Sequence, residues 1–406
     1  MATMAAPPAP EHLHVPHIDL DPFSAQSLSA PHGWYGVLQD AGPVVWLDSY
    51  GVYASARYAE VADALKRHDT FCSSRGVGLS DFAHETPWRP PSLLLETDPP
   101  HHAQTRAIMN RIVSPAAIKV LRATWAEKAA DLVEELVSRR RFDAVVDLAE
   151  EFPMRVFPDT IGLQENGREN LLPYACAVFN GFGPRNALTE DTLAQTRDAA
   201  AWVTEACRRE NLRPGGWGMA VYEAVDNGLC SEDDAQRLVR SFISAGVDTT
   251  VNGIGNMMAA FVQFPGEWEK LRSKPALRTK AFEEALRWDS TVQWFFRTTA
   301  HDAELGGALI PEGSKILLCY AAANRDPRRW VEPDRFNIER MCSGHVAFGY
   351  GIHQCLGQMV ARLEADVLLE ALTARVAAIR PAGPAVRRLN NTLHALASLP
   401  IEVDPV

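Results

Sequence analysis

The chain has 406 residues, 47% of them hydrophobic and 22% charged, with a formal net charge of −11. That length is well past the size at which a core is marginal, and the acidic balance excludes nucleic acid or an anionic membrane as the main partner. No run of about eighteen apolar residues predicts a membrane span, and seven scattered cysteines without a CxxC pair predict neither a disulfide framework nor a zinc site.

The N-terminal stretch is rich in Pro and Ala and lacks the positive start and apolar centre of a secretory signal. Residues 1–20 are expected as a flexible lead-in to a single domain, 21–406, in a reducing cytoplasm. "GPVVWL" and "GVYAS", separated by "DSYG", predict a hairpin. From about residue 103 to 290 apolar residues recur at helical spacing, as in "WAEKAADLVEELVSRR". β-like pieces return at "AELGGALIPEGSKILLCY". A Pro- and Arg-rich loop follows, and a last helix is expected over "CLGQMVARLEADVLLEALTARV". The fold class is mainly α with a small β portion.

One helix stands apart. Ser231 and Asp234 form a capping-box variant, and Pro265 stops the pattern. The roughly 32 residues between would span about 48 Å, enough to cross a domain. Ser241, Ser244 and Asp248 at i, i+3 and i+7 predict a polar stripe on one face. The centre, "AGVDTT", combines Gly246 with Asp248, Thr249 and Thr250, all poor helix formers, and predicts a local widening of the ladder, the alternative being a tolerated glycine and a few satisfied hydroxyls.

The turn "HVAFGYGIHQCLGQ" places Cys355 among glycines just ahead of the last helix. A helix start stabilises a thiolate through its positive end and free N–H groups. Gly349 and Gly351 let the backbone pass close to something flat, Gly357 removes a side chain from the same surface, and Phe348 can lie against a ring. A cysteinate ligand to haem iron needs those features. A buried structural cysteine and a reactive thiol are the alternatives the residues alone leave open.

The full spacing, F-G-x-G-x-H-x-C-x-G, resembles the haem loop of the cytochrome P-450 superfamily, and further motifs follow in the family's order. "EEALR" supplies Glu284 and Arg287 as E-x-x-R, and "EPDRF" supplies Arg335 to complete a structural charged cluster. "AGVDTT" resembles the oxygen-activating segment, with Asp248 and Thr249 as the catalytic acid–alcohol pair. The resemblance implies a triangular helical domain holding haem b between a long distal helix and the cysteine loop, with Cys355 on the iron. It assigns His102, Arg106, Arg297 and His345 to the haem carboxylates. Phe348, Gly349 and Gly357 would lie beside the group. Ala103 and Gln104 depart from the usual Thr-Arg. His353 is expected on the proximal surface, at the side where electrons enter. With no flavin or nicotinamide domain in the remaining residues, electrons for O2 activation are expected from a ferredoxin fed by its reductase. Arg106, Arg111, Lys119 and Arg362 are candidates to meet it through complementary charge.

"SSRGVGLSDFAHETPWRPPSLLLETDPP", "YACAVFNGFGPRN" and "VQWFFRTT" resemble the bacterial monooxygenases of para-substituted benzoic acids, the 4-methoxybenzoate O-demethylases. The resemblance implies a carboxylate anchor at Arg89, Ser92, Arg240, Ser241 and Ser244. Leu95, Phe179, Phe182, Val292 and Phe295 would form an apolar slot along the ring. Trp294 is expected to narrow that slot, and Tyr350 to act on the proximal side. Alternatives are another aromatic acid such as a cinnamate, a phenolic ether, a haem-thiolate sensor, or a peroxygenase.

Overall fold

The computed structural model describes residues 15–406. The predicted hairpin forms, with Val45–Leu47 antiparallel to Val52–Ser55. It belongs to a six-stranded sheet in the order His17–Ile18, Val45–Leu47, Val52–Ser55, Lys315–Leu318, Phe295–Thr299, Phe71–Cys72. Residues 1–14 of the expected lead-in lie outside the described residues. His17 and Ile18 correct the rest of that expectation, because they pair in parallel with Trp46 and Leu47.

Helices make up most of the middle of the chain. Ser231 caps Glu232–Gly246 through a capping box with Asp234, as its spacing predicts. The ladder breaks at Val247 (φ −96°, ψ −70°) and resumes as Asp248–Gln263. The expected single helix is therefore two segments, interrupted inside "AGVDTT". The second segment buries Val251, Ile254, Met257, Met258 and Phe261 on several faces, as a helix through the middle of a core must. All seven cysteines are free, and among the described residues no helix is long and apolar enough to cross a membrane.

The last helix spans Gln358–Arg375 and begins three residues beyond Cys355. After it come strands that the sequence pattern did not announce. Val376–Pro381 pairs with Pro400–Pro405, which also pairs with Arg141–Asp143. Val386–Arg388 pairs with Ala395–Ser398.

Glu284 and Arg287 are wholly buried and bidentate, Nε to Oε2 at 2.7 Å and Nη2 to Oε1 at 2.9 Å. Their third member is not Arg335, whose side chain is 57% exposed and reaches only Glu332 at 3.5 Å. Arg340 takes that place, donating Nε to Glu284 Oε1 at 3.0 Å from a side chain that is 12% exposed. The carbonyl of Arg335 contributes instead, accepting from Arg287 and Arg340. A buried carboxylate needs more than one donor to offset its desolvation, and the Asn337 N–H at 3.0 Å adds another.

Candidate active site

Cys355 is held by its own loop. Its N–H donates to the Phe348 carbonyl at 2.8 Å, and the Gly349 N–H to Val346 at 2.9 Å. Gly349 and Gly351 take φ of +68° and +72°, a region costly for side chains other than glycine. At Gly351 there is also no room, since a Cβ would stand 2.5 Å from the Leu65 carbonyl oxygen. Burial pushes the Cys355 thiol up, opposed by the N–H groups of Gly357 and Gln358 and by the charges of Arg106 and Arg362. The sulfur thus meets the helix's free donors although the helix starts later than expected. A Cβ on Gly357 would lie 4.0 Å from that sulfur.

Cys355, Gly357 and Ala361 line one cavity of the fold. Ala245, Gly246, Thr249 and Thr250 line the same cavity from the distal helix pair. The donors at its edge fit haem carboxylates. Arg106, Arg297 and His353 line the cavity, and His102 packs behind with its ring 4.4 Å from that of His353. His102 Nε2 is buried without a hydrogen-bond partner among the described residues, and burial lowers this histidine to about 4.

Two histidines exchange their expected places. His345 is buried away from the cavity, with Nε2 2.8 Å from Glu283 and Nδ1 accepting from the Ala347 N–H. His353 is not on the proximal surface. Its side chain is 5% exposed and faces inward, Nδ1 at 3.0 Å from the Leu94 carbonyl and Nε2 at 3.5 Å from Asp98. Phe348 lines the cavity with the Arg362 guanidinium 4.7 Å from its ring centre. Of the expected proximal cations, Arg362 pairs with Glu283 and Arg106 donates to the Gln354 carbonyl. Arg111 and Lys119 are exposed.

Thr249 lines the cavity with its hydroxyl donated to Ala245 O at 2.7 Å. Asp248 corrects the predicted stripe, because it turns away from Ser241 and Ser244 into the protein. It is wholly buried, and Oδ1 accepts from Arg388 at 2.6 Å and Asn252 at 3.0 Å, while Oδ2 has no partner among the described residues. Neither Arg388 nor Asn252 was legible as a site residue.

The same cavity is lined by Arg89, Ser92, Ser241 and Ser244, together with Leu95, Phe179, Phe182, Val292 and Phe295. Phe182 packs edge-on against Phe179 and Phe295, at 5.8 and 5.5 Å between centroids. Arg240 does not line the cavity. It donates to the Pro90 carbonyl at 2.8 Å and straps the loop that carries Arg89. Trp294 does not narrow the slot either. Strand alternation from Phe295 sends Phe295 and Arg297 to the cavity face, whereas Trp294 is buried against Phe23 and Phe296. Tyr350 lines the cavity near Gly349 and carries Lys66 5.1 Å above its ring. Phe157, Trp217 and Phe242 complete the apolar wall and were not anticipated.

Comparison with known proteins agrees with this geometry. Residues 269–375 match the cytochrome P-450 family model. The chain is 53% identical over 392 residues to the cytochrome p450 CYP199A2 of Rhodopseudomonas palustris, covering 96% of this chain and 95% of that one. It is 31% identical over 394 residues to the beta-dihydromenaquinone-9 omega-hydroxylase of Mycobacterium tuberculosis, covering 95% and 79%. The solved structure of CYP109Q5 from Chondromyces apiculatus superposes with a TM-score of 0.80 at 28% identity, covering 97% and 99%. The chain belongs to the cytochrome P-450 family and is a haem-thiolate monooxygenase.

Proposed function

We propose that this cytochrome P-450 binds a para-substituted benzoic acid and oxidises the para substituent, removing the methyl group of 4-methoxybenzoate as formaldehyde. One observation supports the reading: Arg89, Ser92, Ser241 and Ser244 line the same aromatic-walled cavity as Cys355. A guanidinium and two hydroxyls can satisfy a buried carboxylate. With the acid anchored there, the edge-packed Phe182 and Phe295 direct a flat ring toward the cysteine side, para position first. CYP199A2, the relative at 53% identity, supports looking for a small substrate class shared with it.

Haem bound through Cys355 supplies the oxidising power to insert one atom of O2 into a C–H bond. The chain supplies the rest. His102, His353, Arg106 and Arg297 would hold the haem carboxylates, and Phe348 would lie beside the group. Thr249 Oγ1, freed from Ala245, holds a water and passes a proton. Asp248 serves as the proton store behind it through Oδ2, the oxygen that Arg388 and Asn252 leave open. Hydroxylation of the methoxy carbon gives a hemiacetal that splits to 4-hydroxybenzoate and formaldehyde, and the second oxygen atom leaves as water.

Two electrons per turnover come from a ferredoxin in the cytoplasm, docked near the exposed Arg111 and Lys119 on the cysteine side. The chain acts as one domain. Titration of the purified ferric protein with 4-methoxybenzoate tests the substrate. A Soret shift from low to high spin is the expected result. A protein whose reduced carbon monoxide spectrum shows thiolate ligation, yet which gives no shift, keeps the monooxygenase and discards this substrate.

A further inference from the structure

The guanidinium that faces the cavity is already neutralised from behind. Arg89 Nη1 lies 3.0 Å from Glu96 Oε2, the two side chains being 11% and 3% exposed. The same Glu96 oxygen accepts the Ser92 N–H at 2.8 Å. One carboxylate thereby fixes both the arginine and the serine at the cavity's end, although Glu96 itself does not line the cavity. Arg89 Nε is buried and has no partner among the described residues, a donor left over once Glu96 and the Pro90 carbonyl hold Nη1.

Two further arginines stand around this loop. Arg237 donates to the Pro91 carbonyl and lies 3.5 Å from Asp233. Arg240 donates to the Pro90 carbonyl at 2.8 Å, and among the described residues no carboxylate lies within ion-pair reach of it. Pairing Arg89 with Glu96 and Arg237 with Asp233 leaves Arg240 as a single unmatched positive charge beside the anchor.

We propose that Glu96 is a positioning and charge-setting residue, which aims Arg89 and Ser92 at the ligand and holds this end of the cavity at one excess positive charge, so that it accepts a monoanion and rejects a dianion. The inference rests on the carboxylate reading above and adds a cause for its selectivity. A ligand carboxylate next to an Arg89–Glu96 pair feels both the guanidinium and the like charge behind it. Like charges at an interface oppose binding as strongly as opposite charges favour it. Glu96 also spares the empty pocket a bare buried cation. It keeps the free enzyme stable and weakens the ligand's hold.

Glu96→Gln keeps the shape and removes the charge. In the haem-loaded variant, 4-methoxybenzoate is expected to bind about tenfold tighter by Soret titration, as the loss of one close like-charge contact implies. The neutral isostere 4-methoxybenzamide should change less than about twofold, and the dianion of 4-methoxyphenylphosphonate at pH 8 should gain a spin shift that wild type lacks. Arg240→Gln should weaken the benzoate about tenfold and leave the amide alone, and the double variant should return to near wild-type affinity. A purely structural role for either residue gives no such rescue. If Glu96→Gln fails to load haem, Arg240→Gln alone decides: amide and acid falling together overturn the assignment. Wild type that ignores benzoate overturns the carboxylate reading and this inference together. Wild type that binds it, with a Glu96→Gln variant that binds it no tighter, overturns the role of Glu96 alone.

Discussion

Glu364 offers a buried acid whose behaviour can be worked out quantitatively. It sits on the helix Gln358–Arg375, wholly enclosed, and among the described residues neither carboxylate oxygen has a hydrogen-bond partner. Burial pushes it up to about 8, with only the Thr250 hydroxyl opposing, and that hydroxyl is turned toward Gly246 O at 3.3 Å. The sign follows from linkage. Below its ordinary value of 4.5 the acid is neutral in both folded and unfolded chains and costs nothing. Between 4.5 and about 8 the unfolded chain releases the proton while the folded chain keeps it, so folding stability falls as pH rises. At about 1.4 kcal/mol per pH unit, the ceiling is near 5 kcal/mol. Glu364→Gln cannot ionise and escapes this loss. Urea unfolding of the haem-loaded proteins at pH 5 and pH 8, followed by tryptophan fluorescence, should show the variant's advantage over wild type widening by about 2–4 kcal/mol. Other titrating groups cancel because both proteins share them. Curves that stay parallel between the two pH values would refute the argument.

Arg340→Ala should cost about 3–5 kcal/mol in thermal denaturation, because it uncovers the buried Glu284 carboxylate. Arg335→Ala should stay within about 0.5 kcal/mol, and the opposite order would restore Arg335 to the cluster. Gly351→Ala places a Cβ 2.5 Å from Leu65 O at a φ of +72°, so the ratio of Soret to protein absorbance should drop well below wild type. Full haem loading would show that the turn tolerates a side chain. Thr249→Ala should leave substrate binding intact while NADH consumption yields peroxide in place of product. Tight coupling in that variant contradicts the proton role of the hydroxyl. Arg89→Ala should weaken 4-methoxybenzoate by at least about tenfold, as expected for losing a charge-assisted partner, with the carbon monoxide spectrum unchanged. Unaltered affinity would move the carboxylate elsewhere in the cavity.

The features legible in the sequence were those whose partners lie within one turn or one loop. The capping box at Ser231 and Asp234, the glycines of the Cys355 turn and the hairpin at "DSYG" each carry their own geometry. Partners distant in the chain were not legible. Arg388 reaches Asp248 across 140 positions from a short strand with no distinguishing pattern. Glu96 reaches back to Arg89 within one loop, but an acid seven residues from an arginine has no fixed direction. Choices between equivalent residues also failed. The loop supplied an arginine for Glu284, but only the fold decides between Arg335 and Arg340. Two histidines flank the cysteine turn, and only contacts distant in the chain, Glu283 for His345 and Leu94 and Asp98 for His353, tell them apart.

The exchange between Asp248 and Thr249 has a single physical cause. In an unbroken helix, position i+7 from Ser241 returns to the face of Ser241 and Ser244, and that is why the stripe pointed to Asp248. The break at Val247 interrupts the ladder. Segments on the two sides of such a break need not keep one helical phase, and Thr249 shares the wall with Ala245 one turn earlier. Thr249 then takes the cavity face that Asp248 would have held, and Asp248 swings into the core, where Arg388 and Asn252 receive it. The same poor helix formers that weaken the ladder therefore decide which side chain meets the cavity. An acid at that point in the chain is behind the alcohol, not beside it. An uninterrupted helix through "AGVDTT" would put a bare carboxylate in an apolar cavity, and the break avoids that cost while keeping the hydroxyl at the wall.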